Sequence, residues 1–254
     1  MLFSVSLLVA CETVPVTGRS QLLLISPGQE MELGFNEFQK LKKETPISKD
    51  KSLTEMVNRI GQRIAAVAKL PGARWEFVLF DQPDVANAFC LPGGKVGIYS
   101  GILSITQNEA GLATVMAHEI AHAVARHGAE RMSEGMLIEL GGQVVNILAS
   151  EKSAETQSLI NTSYGIGSQL GIMLPHSRKQ ELEADHIGLL YMARAGYPPD
   201  EAIAFWQRFS QYNGKDGSSR LTEFFSTHPV DSTRIKELSK LLPIAREEYR
   251  KAIN

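Results

Sequence analysis

Residues 117–128 read Ala117-His118-Glu119-Ile120-Ala121-His122-Ala123-Val124-Ala125-Arg126-His127-Gly128, and the meaning of this stretch decides the fold. The alanine-rich pattern predicts a helix from Asn108 to His127, stopping at Gly128. Residues four apart share a helical face with Cβ atoms about 5–6 Å apart, so His118 and His122 can offer both imidazoles to one zinc ion at ~2.0–2.1 Å. Glu119 sits beside that face, where its carboxylate can reach an attacking water without becoming a ligand. Chance produces this H-E-x-x-H spacing on the order of once per hundred chains of this length. The plain alternative, two histidines satisfied within a helix, is outweighed by the small-residue surroundings and by a ligand supplied downstream.

That ligand lies in Glu181-Leu182-Glu183-Ala184-Asp185, within a helix expected over 177–195 and opened by Ser177 and Gln180 at capping-box spacing. A catalytic zinc takes three protein ligands and keeps one position open, so Glu181 completes a His₂Glu set. Asp185, one turn further on, can accept the free ring N–H of a zinc-bound histidine. Glu183 is read as a solvated carboxylate. His127, His176 and His186 are read as non-ligands, with His127 suited to the C-terminus of the metal helix.

Outward from these two helices, Ser26 and Gln29 with Pro27 predict a helix to about Lys43. Ser52, Glu55 and the spacing of Leu53, Met56, Val57, Ile60, Ile64 and Val67 predict another, ending before Pro71-Gly72. The runs 75–80 and 96–103 read as two strands. Further helices are expected near 129–149, 154–172, 199–211 and 231–241. The fold class is therefore α+β and mainly helical, one domain over 26–254 with a small sheet beside the H-E-x-x-H helix, preceded by an extended arm over 1–25. Glycines at 135, 141, 142, 165, 167 and 171 weaken the helical pattern of 135–172, which reads as a mobile hairpin, either a lid over the site or a loosely packed part of the core.

Among 254 residues the net charge is -2, and no basic stripe interleaved with aromatics is present, which argues against a nucleic-acid partner. Two cysteines, Cys11 and Cys90, are too few for a disulfide framework. Leu8-Val9-Ala10-Cys11 resembles a bacterial lipobox, which would tether the protein to a membrane by a lipid on Cys11. The apolar stretch before it is too short to span a bilayer and lacks a positive n-region, so the start reads as truncated.

The motifs His118–His122 and Glu181–Asp185 together resemble metallopeptidase family forty-eight, the family of the CAAX prenyl endopeptidases, HtpX, BepA and LoiP. So do VPVTGRSQLLLIS near the N-terminus, NAFCLPGGKVGIYSGIL before the metal helix, SRKQELEADHIG and STHPVDSTRI. The resemblance implies a zincin-like domain of the gluzincin type, one Zn²⁺ per chain on His118, His122 and Glu181, and Asp185 as the group behind a ligand. It also matches His228 and Arg234 to a histidine and an arginine at the metal. An imidazole there could close the fourth zinc position or donate to the oxyanion. A position at a helix start before Pro229 and a surface ion pair are the bland alternatives for these two.

The implied activity is hydrolysis of internal peptide bonds in unfolded or misassembled envelope proteins, with Glu119 activating water and His228 or Arg234 stabilising the oxyanion. Substrate is expected to add to a sheet edge along Val96, Gly97 and Ile98. The resemblance places the protein on the periplasmic side of a bacterial envelope, with mild preference for the outer membrane because Glu12, not Asp, follows Cys11. The absence of multiple spans argues against prenylated substrates, and the short C-terminal part argues against a helical-repeat docking domain. The rival from another class is a metal-dependent chaperone lipoprotein in which zinc only holds helices together; Glu119, useless in a purely structural site, argues against it.

Overall fold

The computed structural model describes residues 10–150, 152–168, 174–212, 224, 228–229 and 232–254. The arm forms an antiparallel pair, β1 (Ala10–Thr13) and β2 (Ser20–Leu23), with Cys11 opposite Leu22. Helix α1 (Pro27–Glu44) starts at Ser26 with the expected capping box. Helix α2 (Lys51–Ala65) is capped instead by Asp50, whose carboxylate accepts from Leu53 N at 3.0 Å, so Ser52 falls inside the helix.

Three strands make the second sheet: β3 (Glu76–Phe80), β4 (Ala88–Leu91) and β5 (Lys95–Tyr99), in the order β3-β5-β4. β5 runs parallel to β3 and antiparallel to β4. Gly93 and Gly94 turn the β4–β5 connection at φ of 82° and 78°, a conformation that side chains with a Cβ rarely adopt. Strand alternation sends Phe77 and Leu79 toward one core, with Val57, Ile60 and Ile64 of α2, and Val78 and Phe80 toward another with Phe38 of α1.

This order corrects the expectation for Val96, Gly97 and Ile98. They occupy the central strand, hydrogen-bonded on both sides and buried, and cannot accept an added strand. The edges are β3 and β4, and the one that lines the cavity is β4, whose four residues are too short a run to stand out from the turn formers around it.

After a 3₁₀ turn (Ser100–Ile102) and the short α3 (Leu103–Thr106) comes α4 (Glu109–Val124), whose Asn108 cap accepts from Gly111 N at 2.8 Å. Nearly every side chain of α4 is buried, which is why its apolar pattern is continuous rather than amphipathic. It packs against α2, β4, α7 (Leu174–Arg194) and α8 (Asp200–Tyr212). Gly188 of α7 permits the close approach: a Cβ there would stand 3.0 Å from the His118 amide nitrogen.

α4 ends earlier than expected. Arg126 takes a left-handed conformation (φ 56°, ψ 33°) that costs ~1–2 kcal/mol, and α5 (His127–Ala149) begins at the next residue. Arg126 is pinned there by Glu30 (Nε to Oε2, 2.6 Å), by Glu12 and by the Ile25 carbonyl (3.0 Å). Gly128 therefore lies inside α5 rather than closing α4.

α5 and α6 (Ala154–Ser168) form the hairpin, with Tyr164 Oη donating to Ile138 O at 2.8 Å. Leu140, Val144, Ile147 and Leu148 are exposed on it, so it is not a core hairpin. Residues 169–172, the end of the helix expected over 154–172, lie outside the described residues. α7 begins before Ser177, which is thus not its cap, and α9 (Ser232–Ile253) runs well past the expected end at 241 with Pro243 inside it. No helix among the described residues is long and apolar enough to cross a membrane.

Candidate metal centre

α4, α7 and His228 bring four donor side chains to one point. His118 Nε2 lies 3.1 Å from His122 Nε2, 3.3 Å from Glu181 Oε2 and 3.2 Å from His228 Nδ1. His122 Nε2 is 3.3 Å from Glu181 Oε1, and His228 Nδ1 is 3.0 Å from Glu181 Oε2. All four residues are buried. A tetrahedral ion with bonds of ~2.0–2.1 Å separates its ligands by about 3.3–3.4 Å, since the edge is ~1.63 times the bond, so the spacing fits a small cation. Ring nitrogens facing one another at this distance must share a proton or a cation, and the convergence of four donors on one point suits a cation.

The electrostatics favour positive charge at the centre. Burial disfavours a charged His118, but Asp185 and Glu181 override it and bring the ring up to about 9. Burial holds His122 well below its ordinary value, leaving a neutral ring with a free lone pair. Burial also opposes the charge on Glu181, yet His122, His118 and His228 hold its carboxyl far below the usual range.

Glu119 points beside the cluster rather than into it. Its Oε1 is 3.3 Å from His228 Nε2 without an aligned hydrogen bond, and burial raises its pKa against the pull of His228 and His118. A carboxylate short of hydrogen bonds is a better proton acceptor than a solvated one.

Arg234 on α9 is buried, not a surface residue. Its Nε and Nη2 each donate to Asp185 at 2.7 Å, its Nη1 lies 3.1 Å from Glu181 Oε2, and its guanidinium stacks 4.0 Å above the Trp206 ring. Asp185 Oδ1 is in turn 3.1 Å from His118 Nδ1. His228 is likewise buried and faces the donors, its ring 4.4 Å from that of Phe224.

Two expectations are corrected nearby: His127 stays outside the donor cluster but does not close α4, and Glu183 is not solvated. His127 is fully buried, its Nδ1 2.8 Å from His122 Nδ1 and its Nε2 3.0 Å from Glu183 Oε2. Glu183 is buried too; burial pushes its carboxyl up, but His127, Thr17 and Arg19 bring it down to about 2. The sequence reading missed both because their partners come from the arm and from beyond the Arg126 turn. His186 stands outside the donor cluster, and the His176 side chain lies outside the described residues.

The cluster opens into a cavity of about 490 Å³, walled on one side by Phe89, Cys90 and Leu91 of β4 and on the other by Arg126 and Arg131. Cys11 and Cys90 are free thiols, Cys11 exposed in β1.

The model of peptidase family M48 matches residues 51–242. The mitochondrial metalloendopeptidase OMA1 of Saccharomyces cerevisiae is 34% identical over 253 residues, covering 94% of this chain and 71% of its own length. Its Schizosaccharomyces pombe counterpart is 38% identical over 196 residues, 76% of this chain and 54% of its own. The beta-barrel assembly-enhancing protease of Escherichia coli is 30% identical over 234 residues, 90% of this chain. This chain spans only 47% of that protein's length. A match over most of the chain, with the buried His/Glu cluster at its centre, establishes that the protein is a metalloprotease belonging to peptidase family M48.

Proposed function

We propose that this metalloprotease is a zinc endopeptidase acting on unfolded or misassembled polypeptides, with His118, His122 and Glu181 as the metal ligands. The observation that carries the reading is the Glu119 carboxylate beside a four-donor cluster, at the floor of a cavity bordered by β4. Among the described residues β4 pairs only with β5, so its other side can take an extended chain through backbone hydrogen bonds. That mode requires a free backbone more than a particular sequence, which favours unfolded substrates.

Held by His118, His122 and Glu181, a zinc ion would supply Lewis-acid chemistry for polarising the scissile carbonyl and for lowering the pKa of water. Glu119 accepts the proton of the attacking water and passes it to the leaving amine. Asp185 holds His118 in the tautomer that presents Nε2, and Arg234 holds Asp185. His228 Nδ1 occupies the fourth corner of the donor set while its Nε2 faces Glu119, so the described arrangement is a resting state. Turnover then requires His228 to withdraw, which opens a corner and frees the base together.

The proposed location is the periplasmic side of a bacterial envelope, with a lipid on Cys11; the Leu8-Val9-Ala10-Cys11 sequence and the exposure of Cys11 support it. The mitochondrial relatives favour a second location, an organelle. Mass spectrometry of the protein isolated from its own cells decides: a diacylglyceryl group on Cys11 is expected, and an unmodified Cys11 refutes the anchor. For substrate class, cleavage of one protein is compared in its folded and its reduced, alkylated form. Cutting confined to the unfolded form is expected, and equal rates contradict the proposal.

A further inference from the structure

His122 has a second partner, His127, that takes no direct part in peptide hydrolysis. In a neutral imidazole one nitrogen carries a proton and the other a lone pair. His122 turns Nε2 toward the donor cluster, and as a metal ligand through that atom it carries its proton on Nδ1, 2.8 Å from His127 Nδ1. His127 must accept there, which places its own proton on Nε2, 3.0 Å from Glu183 Oε2. Glu183, an acceptor only, also receives Arg19 Nε at 2.7 Å and the hydroxyl of Thr17. Each donor in the series faces an acceptor, and reversing one proton would set two donors or two acceptors against each other.

Arg19 is itself fixed on two sides. Its Nη2 donates to Glu130 Oε2 at 2.8 Å, and Glu130 is held by Gln180 Nε2 at 2.7 Å. Thr17 and Arg19 belong to the β1–β2 turn, more than 160 residues from Glu183 in sequence. The two histidines of the H-E-x-x-H helix are thus backed differently: His118 directly by Asp185, His122 through an intervening imidazole braced by the arm.

We propose that His127 and Glu183, clamped by Thr17 and Arg19 of the N-terminal arm, are positioning residues that fix the tautomer and ring orientation of His122 for metal binding. The inference rests on the reading of His122 as a ligand. Its consequence is that the arm forms part of the metal centre without touching the metal.

The test is metal affinity, by competition with a chromophoric chelator, together with the visible spectrum of the Co²⁺-substituted protein. The proteins compared are the wild type and the His122→Ala, His127→Leu, His127→Asn, Glu183→Gln and Arg19→Met variants. Loss of an outer hydrogen bond to a ligating histidine typically lowers affinity ~10–100-fold, and that loss is expected for His127→Leu with a shifted Co²⁺ spectrum. His127→Asn places a carbonyl oxygen near the lost Nδ1 and is expected to restore most of the affinity, which a purely space-filling role would not allow. Arg19→Met and Glu183→Gln are expected near the lower end, about tenfold.

Melting of the metal-free proteins checks folding; if His127→Leu does not fold, Glu183→Gln and Arg19→Met decide alone. Affinity within twofold of wild type in the folded variants, or equal losses in His127→Leu and His127→Asn, overturns the relay while leaving the ligand assignment intact. A wild type that binds no metal, or a His122→Ala that binds as tightly, overturns both.

Discussion

Arg234 grips Asp185 with two parallel hydrogen bonds, Nε to Oδ2 and Nη2 to Oδ1, both 2.7 Å and both between side chains almost wholly removed from water. Removing one partner of a buried charge pair strands the other, at a typical cost of 3–5 kcal/mol. Arg234→Met is therefore expected to lose about that much stability in urea unfolding of the metal-free protein. A loss under about 0.5 kcal/mol would show that Asp185 finds other compensation.

Helix packing at the metal centre depends on Gly188. A Cβ there would press on backbone atoms of Ala117 and His118 at 3.0–3.1 Å, so α7 must move away from α4 by tenths of an ångström. Gly188→Ala is expected to cost about 1–3 kcal/mol and to weaken metal binding, because Glu181 moves with α7. Thermal melting and chelator competition check it; unchanged values in both would mean the helices are free to slide.

Much of this was legible in advance, and the boundary has physical causes. His118, Glu119 and His122 follow from helical periodicity, which is local, and Glu181 from a second helical motif together with the third ligand that a catalytic zinc requires. The inward face of Glu183 depends on Arg19 and Thr17, and the burial of His127 depends on a left-handed turn at a non-glycine residue, stabilised by Glu12, Glu30 and Ile25 from the arm and its flank. Strand order is equally non-local: the composition of Val96–Ile98 fits any buried strand and does not reveal that β4 lies outside it.

The resting-state reading makes a directional prediction for His228. With His228→Ala the three remaining ligands keep the metal, the fourth corner opens and Glu119 is released, so basal cleavage of an unfolded casein-type substrate is expected to rise several-fold. Loss of cleavage with metal retained would instead assign His228 to transition-state stabilisation.

The arm's anchor is pH-sensitive. Burial raises the Glu130 carboxyl, but the Arg19 guanidinium and Gln180 amide outweigh it and hold it below the ordinary carboxylate value of 4.5. A depressed folded-state pKa stabilises the fold above the unfolded value, and that contribution disappears as pH falls through the folded value. The stability difference between wild type and Glu130→Gln is thus expected to be constant near neutrality and to shrink below about pH 4.5. Urea melts across that range check it, and a pH-independent difference contradicts the ion-pair account.

The central claim is that Glu119 is the base of a metal-dependent peptidase, and one comparison tests it most directly: metal content and proteolysis of wild type against Glu119→Gln. About one zinc per chain in both proteins is the expected result, with cleavage of unfolded casein lost only in the variant, because the amide preserves the buried shape but cannot take a proton. Cleavage by Glu119→Gln at the wild-type rate, or a wild type that holds zinc and cuts nothing under the same conditions, would contradict the account.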